Sequence, residues 1–192
     1  MTPPAAAPAA IPGNAARDAL RRQLLERRAG LDPAVKNAWD QALCRHVLEW
    51  QPTAPAAVLG VYWPVRGEPD LRPAYAALAA RGVPLALPVV IDRATPLKFA
   101  RWTPGAPLAA GAFGVPVPAD CEWVEPQALL VPCLGFNGQR LRLGYGGGFY
   151  DRTLAAAPRA TIGIAYGCLR AEFEGAPHDV ALDCIVTEDG CW

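Results

Sequence analysis

Between Arg140 and Arg152 the chain reads "RLRLGYGGGFYDR", with four glycines in the five positions 144–148, arginines at 140, 142 and 152, and an aspartate at 151. Glycine loses more backbone freedom on folding than any other residue, so such a run weakens a structure unless the main chain itself has a task there. Bare amides beside guanidinium groups suit one task above others, the holding of phosphate: amide N–H groups at a helix N-terminus favour an anion, and the arginine fork pairs bidentately with its oxygens. The familiar fingerprints do not fit. A Walker A loop needs Gly-Lys-Ser/Thr and there is no such lysine, while G-x-G-x-x-G would need glycine where Phe149 or Asp151 stands. The loop therefore either cradles phosphate in a less common way or is a tight structural turn. Asp151 has two readings as well. It either favours the dipole of a following helix, worth ~0.3–1 kcal/mol, or holds Mg²⁺, which one or two carboxylates plus substrate phosphates usually bind.

The elements that must position this loop follow from periodicity. It lies between a strand "ALLVP" (Ala128 to Pro132), continued by "CLGF", and a helix starting near Gly148 or Phe149 and reaching about Ala157. Upstream, Asn14 is placed to cap a helix that carries Leu20, Leu24 and Leu25 and stops near Gly30. A second helix has Asp32 as N-cap, Pro33 in its first turn and apolar residues at Val35, Trp39, Leu43, Val47 and Trp50. "AAVLGVYW" (Ala56 to Trp63) reads as a strand buried on both faces, feeding the polar loop "PVRGEPD" and a helix ending at Arg81-Gly82. Further strands are expected at "VPLALPVV", "LKFARW", "TIGIAY" and "CIVT", and the Pro-rich stretch Thr103 to Asp120 as an ordered loop. Strands alternating with helices imply a three-layer α/β/α fold around a largely parallel sheet, whose ligands bind beyond the carboxyl ends of the strands.

Composition narrows the function classes. Eighteen basic residues balance eighteen acidic ones, so nothing favours a bulk polyanion, and neither nucleic acid nor membrane is expected as a partner. Six cysteines without a C-x-x-C pair read as reduced, mostly buried cytosolic thiols, and a cytoplasmic location is expected. The two histidines are too few for a histidine-based metal cluster; His46 reads as a helix-surface or core-edge residue and His178 as a positioning or surface residue. Residues 1–14, rich in Ala and Pro, are expected to form a disordered tail that is no signal peptide, and residues 15–192 one catalytic domain, acting as a monomer.

The segment "LLVPCLGFNGQRLRLGYGGGFYDRTLA" resembles the signature of the 5-formyltetrahydrofolate cyclo-ligase family, the methenyltetrahydrofolate synthetases. "RDALRRQLLERR", "VYWPVRGEPDL", "LKFARWTPGAPLAAGAFGVPVP", and "IGIAYGCL" with "PHDVALDCIVTEDG" are similar to that family's blocks, in the same order. The resemblance implies a fold like that of ribose-5-phosphate isomerases and CoA-transferases, with 5-formyltetrahydrofolate and ATP as small-molecule substrates and Mg²⁺ as cofactor. It implies ATP binding by Arg17, Arg21, Arg142, Leu143, Gly144, Tyr145, Gly146, Gly147, Gly148, Phe149 and Tyr150. Arg142 and Tyr150 would take part in catalysis, and Asp151 and Asp179 would hold the metal, with Asp183 a nearby rival. Folate contacts would come from Arg21, Trp63, Glu68, Tyr145 and Phe149. Position 17 departs from the family's common lysine, exchanging a point charge for a planar fork.

On residue type alone the blander readings stand beside these. A basic helical face is more often solvated, a loop glutamate more often exposed, an aspartate after a proline more often a turn or cap residue, and an aromatic at a strand end more often core. Two other functions compete: a phosphosugar isomerase using the glycine loop without ATP, and a catalytically silent folate- or nucleotide-binding homologue. The paired aspartates speak against the first. The intact glycines and aspartates speak against the second.

Overall fold

The computed structural model describes residues 12–50 and 57–192. In chain order the elements are α1 (Pro12–Ala29), α2 (Pro33–Glu49), β1 (Leu59–Gly60), α3 (Arg72–Ala80), β2 (Leu85–Val89), β3 (Lys98–Trp102), β4 (Leu108–Ala110), β5 (Pro116–Pro118), β6 (Trp123–Val124), β7 (Ala128–Pro132), β8 (Gly135–Phe136), β9 (Arg142–Leu143), α4 (Phe149–Ala156), β10 (Ala160–Ile164), β11 (Cys184–Thr187) and β12 (Gly190–Cys191). Eight strands form the main sheet in the order β12-β11-β10-β7-β1-β2-β3-β6. Its centre, β11-β10-β7-β1-β2, is parallel, and β12, β3 and β6 close the edges antiparallel.

Alternation along the strands explains the layers. Ala128, Leu130, Ile162, Ile164, Leu85 and Leu87 join the core that α1, α2 and α3 cover, whereas Leu129, Val131, Ala86 and Ile185 face Leu154 of α4. Apolar side chains on both faces are why these strands read as continuous apolar runs. The three-layer architecture with a largely parallel sheet is thus the one expected. Asp32 caps α2, its carboxylate accepting from the amides of Ala34 and Val35. Trp39, Leu43 and Val47 face the core, but Val35 is exposed.

Several expectations need correction. Asn14 is no cap: α1 starts at Pro12, so residues 12–14 of the expected tail are helical, and residues 1–11 lie outside those described. Pro fits the first turn because its missing N–H would have no intrahelical partner there. Ala56, the expected start of the first strand, also lies outside the described residues; the paired part of that strand is only Leu59–Gly60. The Pro-rich stretch is largely a hairpin, β4 against β5, with Phe113 and Gly114 at its tip in the left-handed region (φ 57° and 73°). Of the six cysteines, all free, only Cys44 and Cys133 are buried; Cys168 and Cys184 are half-buried, Cys121 and Cys191 exposed. Among the described residues no helix is long and apolar enough to cross a membrane.

Strand order locates the crevice. From β1 the sheet grows one way to β2 and the other way to β7, so the chain leaves the carboxyl ends of these neighbours in opposite directions. Ligands of open parallel sheets bind at such a switch point. The loop after β1 carries Trp63 and Glu68; the segment after β7 carries the hairpin β8–β9 and then the glycine run.

Candidate active site

The glycine run leaves β9 at Leu143 and ends at Gly148, the residue before α4, which has left-handed dihedrals (φ 66°) like Gly146 (φ 90°). Glycine adopts these without a Cβ penalty. Among the described residues, the amides of residues 144–148 find no acceptor within the protein. With the first-turn amides of α4, they form a continuous set of donors at a helix N-terminus, the arrangement that binds anions. A Cβ on Gly144 would lie 2.6 Å from Arg142 Nη1, and one on Gly148 2.6 Å from Arg152 Nη1. At these two positions a side chain would meet a guanidinium group that must move aside.

The arginines divide into different tasks. Arg142 is buried, donates to Asp151 Oδ1 at 2.7 Å, packs its guanidinium on the Tyr150 ring at 5.3 Å and leaves a buried Nε without a partner. Arg152 instead braces the loop through carbonyls, those of Gly147 (2.9 Å), Arg93 (2.7 Å) and Thr95 (3.4 Å). Arg140, at φ 59°, is exposed and lines a separate cavity with Asn137, Arg170 and Trp192. Of the three arginines around the glycines, Arg142 alone therefore keeps buried, unused donor capacity.

Helix α1 supplies a second set. Arg17, Arg21, Leu24 and Arg28, spaced four, three and four residues apart, share one helical face. Arg17 donates to Asp179 Oδ2 at 2.6 Å, Arg21 to the Gly144 carbonyl at 2.9 Å, and Leu24 enters the core. Arg28, 2 % exposed, donates to the Arg66 carbonyl at 3.1 Å and to the Tyr145 hydroxyl. The Tyr145 hydroxyl in turn donates to Glu68 Oε1 at 2.7 Å, and the second carboxylate oxygen of Glu68 accepts the Val65 amide at 2.9 Å. Arg66 and Gly67 turn this loop with positive φ (51° and 76°).

Glu68 is 4 % exposed, so it is no solvated loop acid. Burial pushes its carboxyl up, against the Val65 amide, the Tyr145 hydroxyl and the Arg28 charge, which pull it down. Burial likewise pushes the Tyr145 and Tyr150 phenols up, with the Glu68 charge acting in the same direction, so both stay protonated donors at neutral pH. Asp179 is almost buried, and its carboxylate closes the turn from Ala176 by accepting that residue's amide at 2.8 Å. Asp183, its rival, is committed elsewhere: it accepts from the Thr161 amide (2.7 Å) and hydroxyl (3.0 Å) at the amino end of β10, away from the crevice. His178 is exposed on the surface, and His46 is half-buried, with its ring 3.3 Å from the Glu188 carbonyl.

The remaining candidates take other places. Leu143 has its side chain in the core, and its carbonyl accepts the Leu134 amide. Trp63 packs edge-on to Trp102 at 6.0 Å under the Arg72 guanidinium, within the α1–α3 core. Phe149 lies 5.7 Å from Phe113 and 5.1 Å from the Arg152 guanidinium, so the tip of the β4–β5 hairpin reaches the opening of α4. Arg28 and Phe113 were not singled out by sequence. The signal for Arg28 was present, since it continues the face of Arg17 and Arg21; Phe113 stood in a stretch whose prolines hid the hairpin.

Asp151 and Asp179 fit a divalent cation in chemical type. Among the described residues no three His, Cys, Asp or Glu side chains converge as a metal cage, so such an ion would rest on these two carboxylates together with oxygens brought by a substrate. Each carboxylate is now neutralised by an arginine, Arg142 or Arg17, and each of those arginines keeps a buried Nε without a partner.

Comparison with known proteins places this arrangement. Residues 13–188 match the family model described as the 5-formyltetrahydrofolate cyclo-ligase family. A 5-formyltetrahydrofolate cyclo-ligase of Mycolicibacterium smegmatis is 34% identical, over 88% of this chain and 91% of its own, and one of Escherichia coli is 28% identical, over 87% and 97%. Among solved structures, a 5,10-methenyltetrahydrofolate synthetase of Mycoplasma pneumoniae superposes with TM-score 0.75 at 27% identity, covering 90% of this chain and 98% of that one. That of Aquifex aeolicus gives TM-score 0.79 at 26% identity, covering 91% of each. A glycine loop with free amides, a buried glutamate at the sheet's switch point and a match along almost the whole chain lead to one conclusion: the chain belongs to the 5-formyltetrahydrofolate cyclo-ligase family.

Proposed function

We propose that the chain catalyses the ATP- and Mg²⁺-dependent cyclisation of 5-formyltetrahydrofolate to 5,10-methenyltetrahydrofolate, releasing ADP and phosphate through a phosphorylated N5-iminium intermediate. The observation that carries this reading is the hydrogen bond from Tyr145 to Glu68. It joins a loop of free amides, suited to phosphate, to a buried carboxylate suited to the N–H donors of an amino-pyrimidine, in one crevice.

The chemistry explains why ATP is required. N10 must attack the formyl carbon and the formyl oxygen must leave, but oxide and hydroxide leave poorly near neutral pH. The formyl oxygen therefore attacks the γ-phosphorus and ADP departs, giving an N5-iminium phosphate. N10 then bonds to the carbon, the carbon–oxygen bond breaks with release of phosphate, and N10 gives up its proton. The protein's task is to align the reacting atoms and neutralise charge, which is how proteins chiefly lower the barrier to phosphoryl transfer.

The residues support that division of labour. The amides of 144–148 would receive the phosphates, with Arg142 and Arg21 beside them and Tyr150 and Phe149 at the opening of α4. Arg142 and Arg17, once released by Asp151 and Asp179, would turn their guanidinium groups to phosphate oxygens. Asp151 and Asp179 would hold Mg²⁺, which when bound neutralises charge on the phosphate oxygens. Glu68 would take the pterin's N–H donors. Tyr145, Trp63 and Phe149 would border the folate.

The test is a spectrophotometric assay of the purified protein with 5-formyltetrahydrofolate, MgCl₂ and ATP, following the near-ultraviolet absorbance of the methenyl product. Product should form only in the complete mixture. No product from a demonstrably folded protein, or equal product without ATP, would refute the proposal.

A further inference from the structure

Arg28 is a charge with no partner of its own kind. Its side chain is 2 % exposed, and among the described residues no carboxylate lies within ion-pair distance. Its Nε holds the Arg66 carbonyl, one Nη holds the Tyr145 hydroxyl, and the other Nη is buried without any partner. Burying a guanidinium in this way is costly unless the charge serves something nearby. Both of its bonds lead to the same residue. Arg66 belongs to the turn that delivers Glu68, and the Tyr145 hydroxyl, polarised by Arg28, donates directly to the Glu68 carboxylate.

We propose that Arg28 is a positioning residue for the folate substrate, its guanidinium acting through the Tyr145 hydroxyl and the Arg66 carbonyl to fix the geometry and the charge of Glu68. The inference rests on the reading of Glu68 as the folate carboxylate. It adds a residue that touches neither substrate in that reading, and it accounts for a buried cation that packing alone leaves unexplained.

The surroundings of Glu68 make the mechanism specific. Facing it are Arg28 from α1, Arg66 on its own loop, Tyr145 from the glycine loop, Tyr150 from α4, Tyr62 after β1, Tyr75 from α3 and Cys133 after β7. Burial pushes all four tyrosines up and Cys133 up to about 12, so Glu68 alone in this set changes charge across the acid-to-neutral range. Arg28 and Arg66 are the cations whose charge pulls its carboxyl down against burial, beside the Val65 amide and the Tyr145 hydroxyl, and only Arg28 is buried with it. A neighbouring opposite charge favours the charged form of a carboxyl. Without Arg28, Glu68 therefore takes up a proton at higher pH and loses the acceptor that an amino-pyrimidine needs.

Equilibrium binding of 5-formyltetrahydrofolate and, separately, of MgATP would be measured between pH 6 and 9 for the wild-type protein, Arg28→Met, Arg28→Lys, Tyr145→Phe and Glu68→Gln, each checked for folding by circular dichroism. Arg28→Met should weaken folate binding about tenfold at neutral pH, a loss that shrinks as pH rises, with MgATP affinity held within about twofold. Arg28→Lys keeps the charge and should restore most of the wild-type pH profile. Tyr145→Phe cuts the relay and should move the profile in the same direction as Arg28→Met, which supplies the test should Arg28→Met fail to fold. Folate binding unchanged in Arg28→Met, or weakened equally at every pH, would overturn the role of Arg28, and so would an unmoved profile in Tyr145→Phe. Unchanged folate binding in Glu68→Gln would instead overturn the folate reading of Glu68 itself.

Discussion

Glu68 occupies a position where a carboxylate is costly to keep charged, and two predictions follow from that cost. Glu68→Gln should raise the KM for 5-formyltetrahydrofolate by about tenfold or more, as loss of a charge-assisted hydrogen bond implies, with the KM for ATP little changed in steady-state kinetics. pH should act with opposite signs on binding and stability. Because burial raises the carboxyl above its unfolded value, Glu68's contribution to stability is fully present below the unfolded pKa and is lost as pH rises through the raised one. Folate binding, which under the proposed role of Glu68 uses the ionised form, should strengthen over that same rise. Denaturant melts and folate titrations at matched pH, compared with Glu68→Gln, would show whether the two trends diverge. For the metal, Asp151→Asn should abolish Mg²⁺-dependent turnover and lower the melting temperature somewhat, since it uncharges the partner of the buried Arg142, while circular dichroism still shows a folded protein; near-normal turnover at saturating Mg²⁺ would remove Asp151 from the metal site. Asp151 and Arg142 stand out in the sequence by type and spacing beside the glycine run, whereas Glu68 is singled out only by the family resemblance. Their partners could not be picked out, since burial and hydrogen bonding across more than seventy residues, as between Glu68 and Tyr145, leave no trace in local spacing.

At the scale of elements, helix α1 and the glycine loop behave as one unit. Arg21 holds the backbone of the loop at the Gly144 carbonyl, from a helix more than a hundred residues earlier, while Arg28 reaches only the side-chain hydroxyl of Tyr145. The loop's left-handed positions can be probed directly. Gly148→Ala places a Cβ at φ 66°, 2.6 Å from Arg152 Nη1, and the αL conformation alone costs about 1–2 kcal/mol. ATP affinity should fall severalfold by titration while folate affinity holds. Equal losses for both ligands would mean a general collapse of the crevice. Elements with strong periodicity or apolar runs were legible: α2 with its cap, α3, α4, β2, β3, β7, β10 and β11 all lie where the pattern put them. The hairpins β4–β5 and β8–β9 and the edge strands β6 and β12 were not. They are two or three residues long and held by cross-strand pairing, and prolines in β5 masked a ladder that uses them at an edge.

For the whole molecule, the parallel sheet with helices on both faces could be inferred from alternation of element types, but the strand order could not, because it depends on which strands meet across long connections. That order puts β1 beside β7. The loop proposed for folate and the loop proposed for nucleotide thus begin from adjacent strands, paired Leu59 with Ala128 and Gly60 with Leu129. Gly60 keeps this contact close: a Cβ there would stand 2.4 Å from Leu129 Cδ2, 3.1 Å from Phe99 Cε1 and 3.2 Å from Pro126 Cγ. Gly60→Ala should therefore cost about 1–3 kcal/mol in a denaturant melt and lower kcat more than it weakens either ligand, as parallel kinetic and binding measurements would reveal. The reason is geometric. Parallel neighbours sit about 4.8 Å apart, so in the proposed reading the loops for folate and nucleotide start from a backbone spacing that side-chain substitutions within the loops cannot reset. Such substitutions can loosen either guest in its seat, but only a change in the frame can shift the two seats relative to each other.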